Sequence, residues 1–175
     1  MSESFYFGGT DLANLGVYLL QGWNRPILPP TRDRRLAIPG KDGSYDFGSG
    51  YEELSFDLRC FMKAESRTEL LSNLDSLAVL LDAKQGYQQL IFKDQDDRYF
   101  MAKYSGKLSI ALDPFSGEFT LPFVCQSPFA YDVDQSEDTR NINADQFTCN
   151  LTVGGNAEAE PNWELTCHKA ATGLT

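Results

Sequence analysis

Histidine is nearly missing from this chain: of 175 residues only His168 carries an imidazole, and it stands near the C-terminus. No Ser–His–acid or Cys–His arrangement can be assembled from such a set, so the lone histidine reads as a surface residue. Cysteine is sparse as well. Cys60, Cys125, Cys149 and Cys167 fall into no CxxC or other zinc spacing. Met1-Ser2-Glu3-Ser4 has neither the basic region nor the apolar core of a secretory leader, so free thiols in a reducing compartment are the default. No apolar run approaches the ~18 residues of a membrane span, and no membrane is expected as a partner. Basic charge is the minority: 15 Lys and Arg stand against 25 Asp and Glu, a net charge of −10. That balance argues against a protein that grips nucleic acid through its phosphates; its bland reading is a solubility charge.

Sites that would carry chemistry are equally scarce. Gly40-Lys41-Asp42-Gly43 lacks the spacing of a phosphate loop, and Gly8-Gly9 does not extend to a dinucleotide fingerprint. Asp94-Gln95-Asp96-Asp97 opens like a calcium loop, but no Gly stands at the sixth position and no Glu at the twelfth; it reads as a hairpin turn. Asn150-Leu151-Thr152 fits a glycosylation acceptor, which means nothing without a secretory route. Carboxylate pairs such as Glu52-Glu53 are ordinary on an acidic surface. No catalytic, cofactor-binding or metal-ligating residue is therefore nominated, and no enzyme is expected.

What the chain does have is periodicity. Leu54, Phe56, Leu58, Cys60 and Met62 alternate with Glu53, Ser55, Asp57 and Arg59, the period of a strand with one buried face. Ser66-Arg67-Thr68-Glu69 is a capping box, and Leu70, Leu71, Leu74, Leu77, Ala78 and Leu81 continue it as one helical stripe. The spacing predicts a helix over 67–84, stopped by Gly86. Further strands are expected at Ser4–Phe7, Val17–Gln21, Tyr87–Phe92, Arg98–Tyr104, around Leu108–Leu112, and from Phe119 to Cys125. Pro122 places the last of these at an edge or a bulge. The sum is a mainly β (α+β) fold: an antiparallel β-sandwich or half-barrel with one packed helix.

One stretch breaks the pattern. Residues 22–50 hold Pro26, Pro29, Pro30 and Pro39 with five glycines, and five basic residues against three acids. A structureless loop this long inside a compact domain is usually functional or disordered. Its apolar residues are too many for a solvated linker. It reads as a long extended arm that orders against something else, presenting Arg25, Ile27, Leu28, Arg32, Arg34, Arg35, Leu36, Ile38, Tyr45 and Phe47. The bland reading is a flexible hairpin facing water. Beyond residue 136, two short alternating runs, Phe147–Val153 and Trp163–Cys167, cannot form a stable domain alone; paired as a hairpin, they would bring Cys149 opposite Cys167.

Several blocks, in order, resemble the N-terminal domain of the distal tail protein of long-tailed bacteriophages, the siphovirus-type tail component. They are Phe5-Tyr6-Phe7-Gly8-Gly9 with Leu15-Gly16, Arg25-Pro26-Ile27-Leu28-Pro29-Pro30, and Ile38-Pro39-Gly40-Lys41-Asp42-Gly43-Ser44-Tyr45-Asp46-Phe47-Gly48. After the helix come Phe92-Lys93-Asp94-Gln95-Asp96-Asp97-Arg98-Tyr99, Gly117-Glu118-Phe119 and Cys125-Gln126-Ser127-Pro128-Phe129-Ala130-Tyr131. The likeness covers residues 5 to 132. Gly154 to Pro161 resembles the opening of the family's second, galectin-like β-sandwich domain, cut short here. The resemblance implies a ring domain at 1–134 and a partial second β domain at 135–175. It implies a structural protein forming a homohexameric ring between the tail tube protein and the tail-tip, baseplate or receptor-binding proteins. DNA would pass through the lumen without specific binding, and an acidic wall would keep it mobile. The arm would then reach neighbouring subunits. Such a protein resides in the virion and is assembled in the bacterial cytoplasm. The alternative is a carbohydrate- or receptor-binding β module that stacks sugars on Trp23, Tyr45 or Trp163; a cell-wall hydrolase lacks its nucleophile or metal set.

Overall fold

The computed structural model describes residues 3–134, with 137, 139–141, 148, 150, 154, 155, 162–164 and 166. The chain divides into two compact units, Met1–Glu137 and Asp138–Thr175. The expected strands at 147–153 and 163–167, the Cys149–Cys167 pairing and His168 lie wholly or largely outside the described residues.

In chain order the elements are β1 (Phe5–Phe7), β2 (Thr10–Asp11), β3 (Val17–Leu19), β4 (Thr31–Leu36), β5 (Tyr45–Tyr51), β6 (Leu54–Lys63), α1 (Arg67–Leu80), β7 (Gln88–Phe92), β8 (Gln95–Tyr104), β9 (Ala111–Leu112), β10 (Ser116–Cys125) and β11 (Tyr131–Asp132). One antiparallel sheet runs β2-β1-β7-β8-β10-β6-β3, with β9 attached to β10 and β11 to β8; β4 and β5 form a separate ribbon. The sheet curls until its ends approach each other. Leu19 N–H donates to the Glu3 carbonyl at 2.8 Å, and the buried Ser4 hydroxyl donates to the Val17 carbonyl at 3.3 Å. This is the expected half-barrel. Its curl covers edge backbone that a flat sheet would leave unpaired.

The alternation read from sequence sets the core. Along β6 the residues Leu54, Phe56, Leu58, Cys60 and Met62 are all buried. Phe119, Leu121, Phe123 and Cys125 of β10 lie opposite, in register with Cys60, Leu58, Phe56 and Leu54. Phe5, Phe7, Leu90 and Phe92 complete the layer from β1 and β7. Cys60 and Cys125 are free thiols packed as small hydrophobes, and burial pushes each up to about 12. Gly16, at φ 69°, allows the closest backbone approach: a Cβ there would stand 2.2 Å from the Lys63 carbonyl oxygen, which lies where β3 meets β6.

Helix α1 starts where expected. The Ser66 hydroxyl accepts from Glu69 N–H at 3.1 Å, while the Glu69 carboxylate reaches one residue further back, to Glu65 N–H at 2.8 Å. It ends at Leu80, four residues before Lys84. The Asp82 carboxylate accepts from Lys84 N–H at 3.0 Å and starts a separate 3-10 turn, Ala83–Gln85, which Gly86 closes; an Asp side chain competes with the helical pattern at such a site. The buried stripe is also narrower than the spacing predicts. Leu70, Leu77 and Leu81 are buried, but Leu71 and Ala78 are exposed, because the helix leans on the short Leu12–Leu15 turn.

Three other expectations change. The turn between β7 and β8 is only Lys93-Asp94, so Gln95, Asp96 and Asp97 belong to the strand. The run at 108–112 pairs with β10 only at Ala111 and Leu112, while Leu108 and Ile110 pack on the core from a loop. Pro122 is not at an edge: β10 lies between β6 and β8. The proline is tolerated because the β8 ladder reaches only Phe123. The Pro122 carbonyl accepts from Ser105 N–H at 3.0 Å. In an extended strand N and C=O of one residue share a side, so the missing N–H faces the end of that ladder.

Two measurements test this account. Phe56→Ala removes a fully buried ring that meets Phe92 and Phe100 edge-on, and it should cost about 3–5 kcal/mol in denaturant unfolding. Asp11 bonds Lys93 at 2.6 Å and caps Ala13. Burial raises its pKa, but the donors from Lys93, Ala13 and Ser4 outweigh that and hold the carboxyl below its ordinary value. A depressed folded-state pKa stabilises above the unfolded carboxylate range and is lost as pH falls through the folded value. Asp11→Asn should therefore be less stable at neutral pH by about 0.5–1 kcal/mol, and the gap should close in acid.

Candidate functional site: a protruding hairpin arm

The stretch expected as an extended arm, with a flexible hairpin as the bland reading, contains an antiparallel hairpin of β4 and β5. Its root is fixed to the core. Trp23 stacks on Phe92 with centroids 5.1 Å apart, and the Arg25 guanidinium lies 4.6 Å from the same ring. Arg25 also pairs with Asp94 in the β7–β8 turn at 3.1 Å. Glu52 N–H donates to the Pro30 carbonyl at 2.8 Å and closes the ribbon's base, and Tyr51 meets Phe129 edge-on at 5.6 Å. Beside the root, an open groove of about 650 Å³ runs from Gly22 to Pro26 over the outer side of β6, where Ser55, Asp57 and Arg59 line it.

Beyond the root, every residue of β4 is exposed, and all of β5 but Gly50. The register gives the ribbon two unlike sides. Thr31, Asp33 and Arg35 face one way with Tyr51, Ser49 and Asp46. Here the polar groups satisfy each other: Arg35 pairs with Asp33 at 2.9 Å, and the Ser49 hydroxyl donates to Asp33 at 2.6 Å. Arg32, Arg34 and Leu36 face the other way, with Tyr45 opposite Leu36. Neither Arg32 nor Arg34 pairs with a carboxylate among the described residues. The Lys41 ammonium lies 3.8 Å from the Tyr45 ring. Opposite Arg34 the partner strand carries an extra residue at Phe47-Gly48, a bulge. Gly48 takes φ 89° there, and its N–H donates to the Asp46 carboxylate at 2.9 Å.

Of the residues nominated from sequence, Arg25 is part of the root and already paired. Ile27 is 95% exposed, Leu28 73% and Phe47 64%, and Leu36, Ile38 and Tyr45 are about half exposed. Arg32, Arg34 and Arg35 stand along β4. Trp23, suggested as a sugar platform, is occupied by Phe92. Sequence reasoning missed a second group: Tyr99 and Tyr131 stack at 5.4 Å across β8 and β11, flanked by the exposed Phe129 and Val133. The aromatic run after Ser127 was its signal. Among the described residues no three His, Cys, Asp or Glu side chains converge as a metal site, and no helix is long and apolar enough to cross a membrane.

Among the described residues the chain is thus a curled antiparallel sheet with one helix, from which a solvent-exposed hairpin departs. Residues 10–125 match the phage tail protein RIFT-related domain, and the chain belongs to that family of phage tail proteins. No curated protein matches. Among solved structures the chain is similar to SPP1 Dit (gp 19.1), described as a paradigm of the hub adsorption apparatus in phages infecting Gram-positive bacteria. That likeness has a TM-score of 0.62 at 20% identity and covers 75% of this chain and 53% of the other, so this chain spans about half that protein's length. It is a likeness of fold.

The bulge supplies a test. A Cβ at Gly48 would meet nothing within 4 Å, so the penalty of a side chain there is purely that of the left-handed backbone, about 1–2 kcal/mol. A lone two-stranded ribbon has little stability to lose. Gly48→Val should collapse amide protection in 31–51 while leaving the protection of β6 and β10 unchanged, as read by hydrogen exchange.

Proposed function

We propose that this phage tail protein is a hub: a homohexameric ring between the tail tube and the tail-tip or baseplate proteins, with a central channel for DNA. The observation that carries this reading is the arm. Leu36, Ile38, Tyr45 and Phe47 are exposed on the hairpin, and Ile27 and Leu28 on the segment that leads into its base. Each such side chain gains ~1.5–3 kcal/mol when fully buried. Together they offer on the order of 10 kcal/mol before the costs of association. A solvated loop has no use for them.

A contact between an arm and a different surface of the next copy is head-to-tail, and such contacts close into rings when the rotation allows. The similarity of fold to a protein described as part of a hub adsorption apparatus supports the same place in the tail. Outside the arm the chain is strongly acidic, and an acidic wall repels phosphate, so DNA would pass without specific contacts. Residues 135–175 would open a second, galectin-like domain, through which receptor-binding or other baseplate proteins attach. The chemistry is architectural, with no reaction assigned. In the virion the ring would sit at the tail tip, after assembly in the host cytoplasm.

Light scattering and negative-stain microscopy on the full chain test this directly. The wild type should form rings, alone or on mixing with tail-tube or tail-tip proteins. Deleting Pro29 to Gly43 should leave the circular-dichroism spectrum and melting of the sheet nearly intact and abolish assembly. A wild type that stays monomeric under both conditions, or a deletion that still forms rings, overturns the proposal.

A further inference from the structure

We propose that the tip of the arm carries a self-modification site: the Asp42 carboxyl closes on the Gly43 amide nitrogen to a succinimide, which reopens as isoaspartate.

Asp42 is the one Asp or Asn of the chain that glycine follows. Both residues are exposed, in the turn that joins β4 to β5. The attacking atom is a main-chain nitrogen, so the side chain of the residue that carries it governs access. Glycine has none, and a Cβ placed at Gly43 would meet nothing within 4 Å. Closure of a five-membered ring within one chain needs no bimolecular encounter, and proximity then supplies much of the rate.

Bonding sets Asp42 apart from its fellows. Asp11, Asp46, Asp82 and Asp132 each accept from the N–H two residues on, at 2.9–3.0 Å. Such turns occupy the carboxylate locally. Asp42 makes no such bond. Among the described residues neither its carboxylate nor the Gly43 N–H has a hydrogen-bond or ion-pair partner. The bonds of the tip lie on either side of the pair. Lys41 N–H donates to the Ile38 carbonyl at 3.2 Å, and the Lys41 ammonium donates to the Tyr45 hydroxyl.

The chemistry needs only water. The Gly43 nitrogen bonds to Cγ of Asp42, the Cγ–OH bond breaks, and the hydroxyl leaves with the amide proton as water. Water then adds to either ring carbonyl. Breaking N–Cγ returns aspartate. Breaking the bond from nitrogen to the main-chain carbonyl carbon leaves the chain running through Cβ and Cγ. Nothing is oxidised or reduced, and the mass returns to its starting value. The main chain is then one carbon longer between Leu36 and Tyr45, the last pair of the ribbon. Turn length fixes the register of a hairpin, so the arm changes shape while the sheet, with no such dipeptide, does not. On the ring reading above, a copy left unassembled ages into one whose arm no longer fits.

The full-length chain, held warm in neutral buffer for several weeks, tests this. Isoaspartate is read with a protein-isoaspartate methyltransferase and labelled S-adenosylmethionine, and placed by electron-transfer fragmentation. Label should rise with time and map to residue 42. Asp42→Glu keeps the charge but would need a six-membered ring, and it should cut labelling about tenfold or more, a barrier ~1.4 kcal/mol higher. A synthetic peptide of residues 37–46 runs alongside. If the peptide labels and the folded chain does not, the tip holds the pair apart and the proposal falls. It falls equally if neither labels, or if label in the chain maps elsewhere. Aged wild type should lose assembly by light scattering, and aged Asp42→Glu should keep it. Label at 42 with assembly unchanged upholds the site and removes the tip from the contact between copies. A wild type that never associates defeats the ring reading, while the labelling stands or falls by itself.

Discussion

Phe92 is where the sheet and the arm lean on the same ring. It is fully buried and meets Phe5, Phe56 and Phe100 in the core. The same side chain takes the Trp23 indole and the Arg25 guanidinium from the chain leaving the domain. A ribbon of two strands has no core of its own. Its direction is therefore set by whatever holds its two ends, and here one end is held by this aromatic stack and the other by Tyr51 on Phe129. The Arg25–Asp94 pair adds a polar tie. It is partly exposed and weak by itself, but it fixes the guanidinium over the ring.

The molecule divides its hydrophobic residues into two populations with different tasks. Those with strand period face inward and account for folding. Those on the arm, on β11 and on the outer side of α1 remain in water. Charge is divided in the same way, with the basic excess on the arm and the acidic excess elsewhere. A monomer gains nothing from either division, since exposed apolar area invites aggregation and segregated charge forgoes local pairing. Both become favourable when copies of the chain meet in one defined orientation.

The strands with strict alternation were legible because one face must be buried and the period is two; β6 and β10 follow the pattern residue by residue. The start of α1 was legible because a capping box satisfies local N–H groups. Its end was not, because Asp82 offers a side-chain acceptor that competes with the next helical turn. The interior position of Pro122 depends on where a different strand stops, which is a long-range fact. The residues of the arm were found from composition, and a hairpin was the bland alternative there, but the limits and pairing of its strands were hidden. The bulge at Phe47-Gly48 breaks the alternation of β5, and all of β4 is exposed, so no burial pattern marked either strand. The tyrosine platform arises only when β11 pairs with β8, and two-residue strands leave no period to read.

Both described cysteines have a consequence outside the cell. Cys60 and Cys125 are completely enclosed, with thiols at about 12. Burial this deep holds such a thiol protonated, and only the ionised form attacks peroxide or another sulfur. A phage particle waits between hosts in air-saturated surroundings, where reactive sulfur would be modified or scrambled over time. By keeping these sulfurs dry and protonated, the sheet withholds Cys60 and Cys125 from that chemistry.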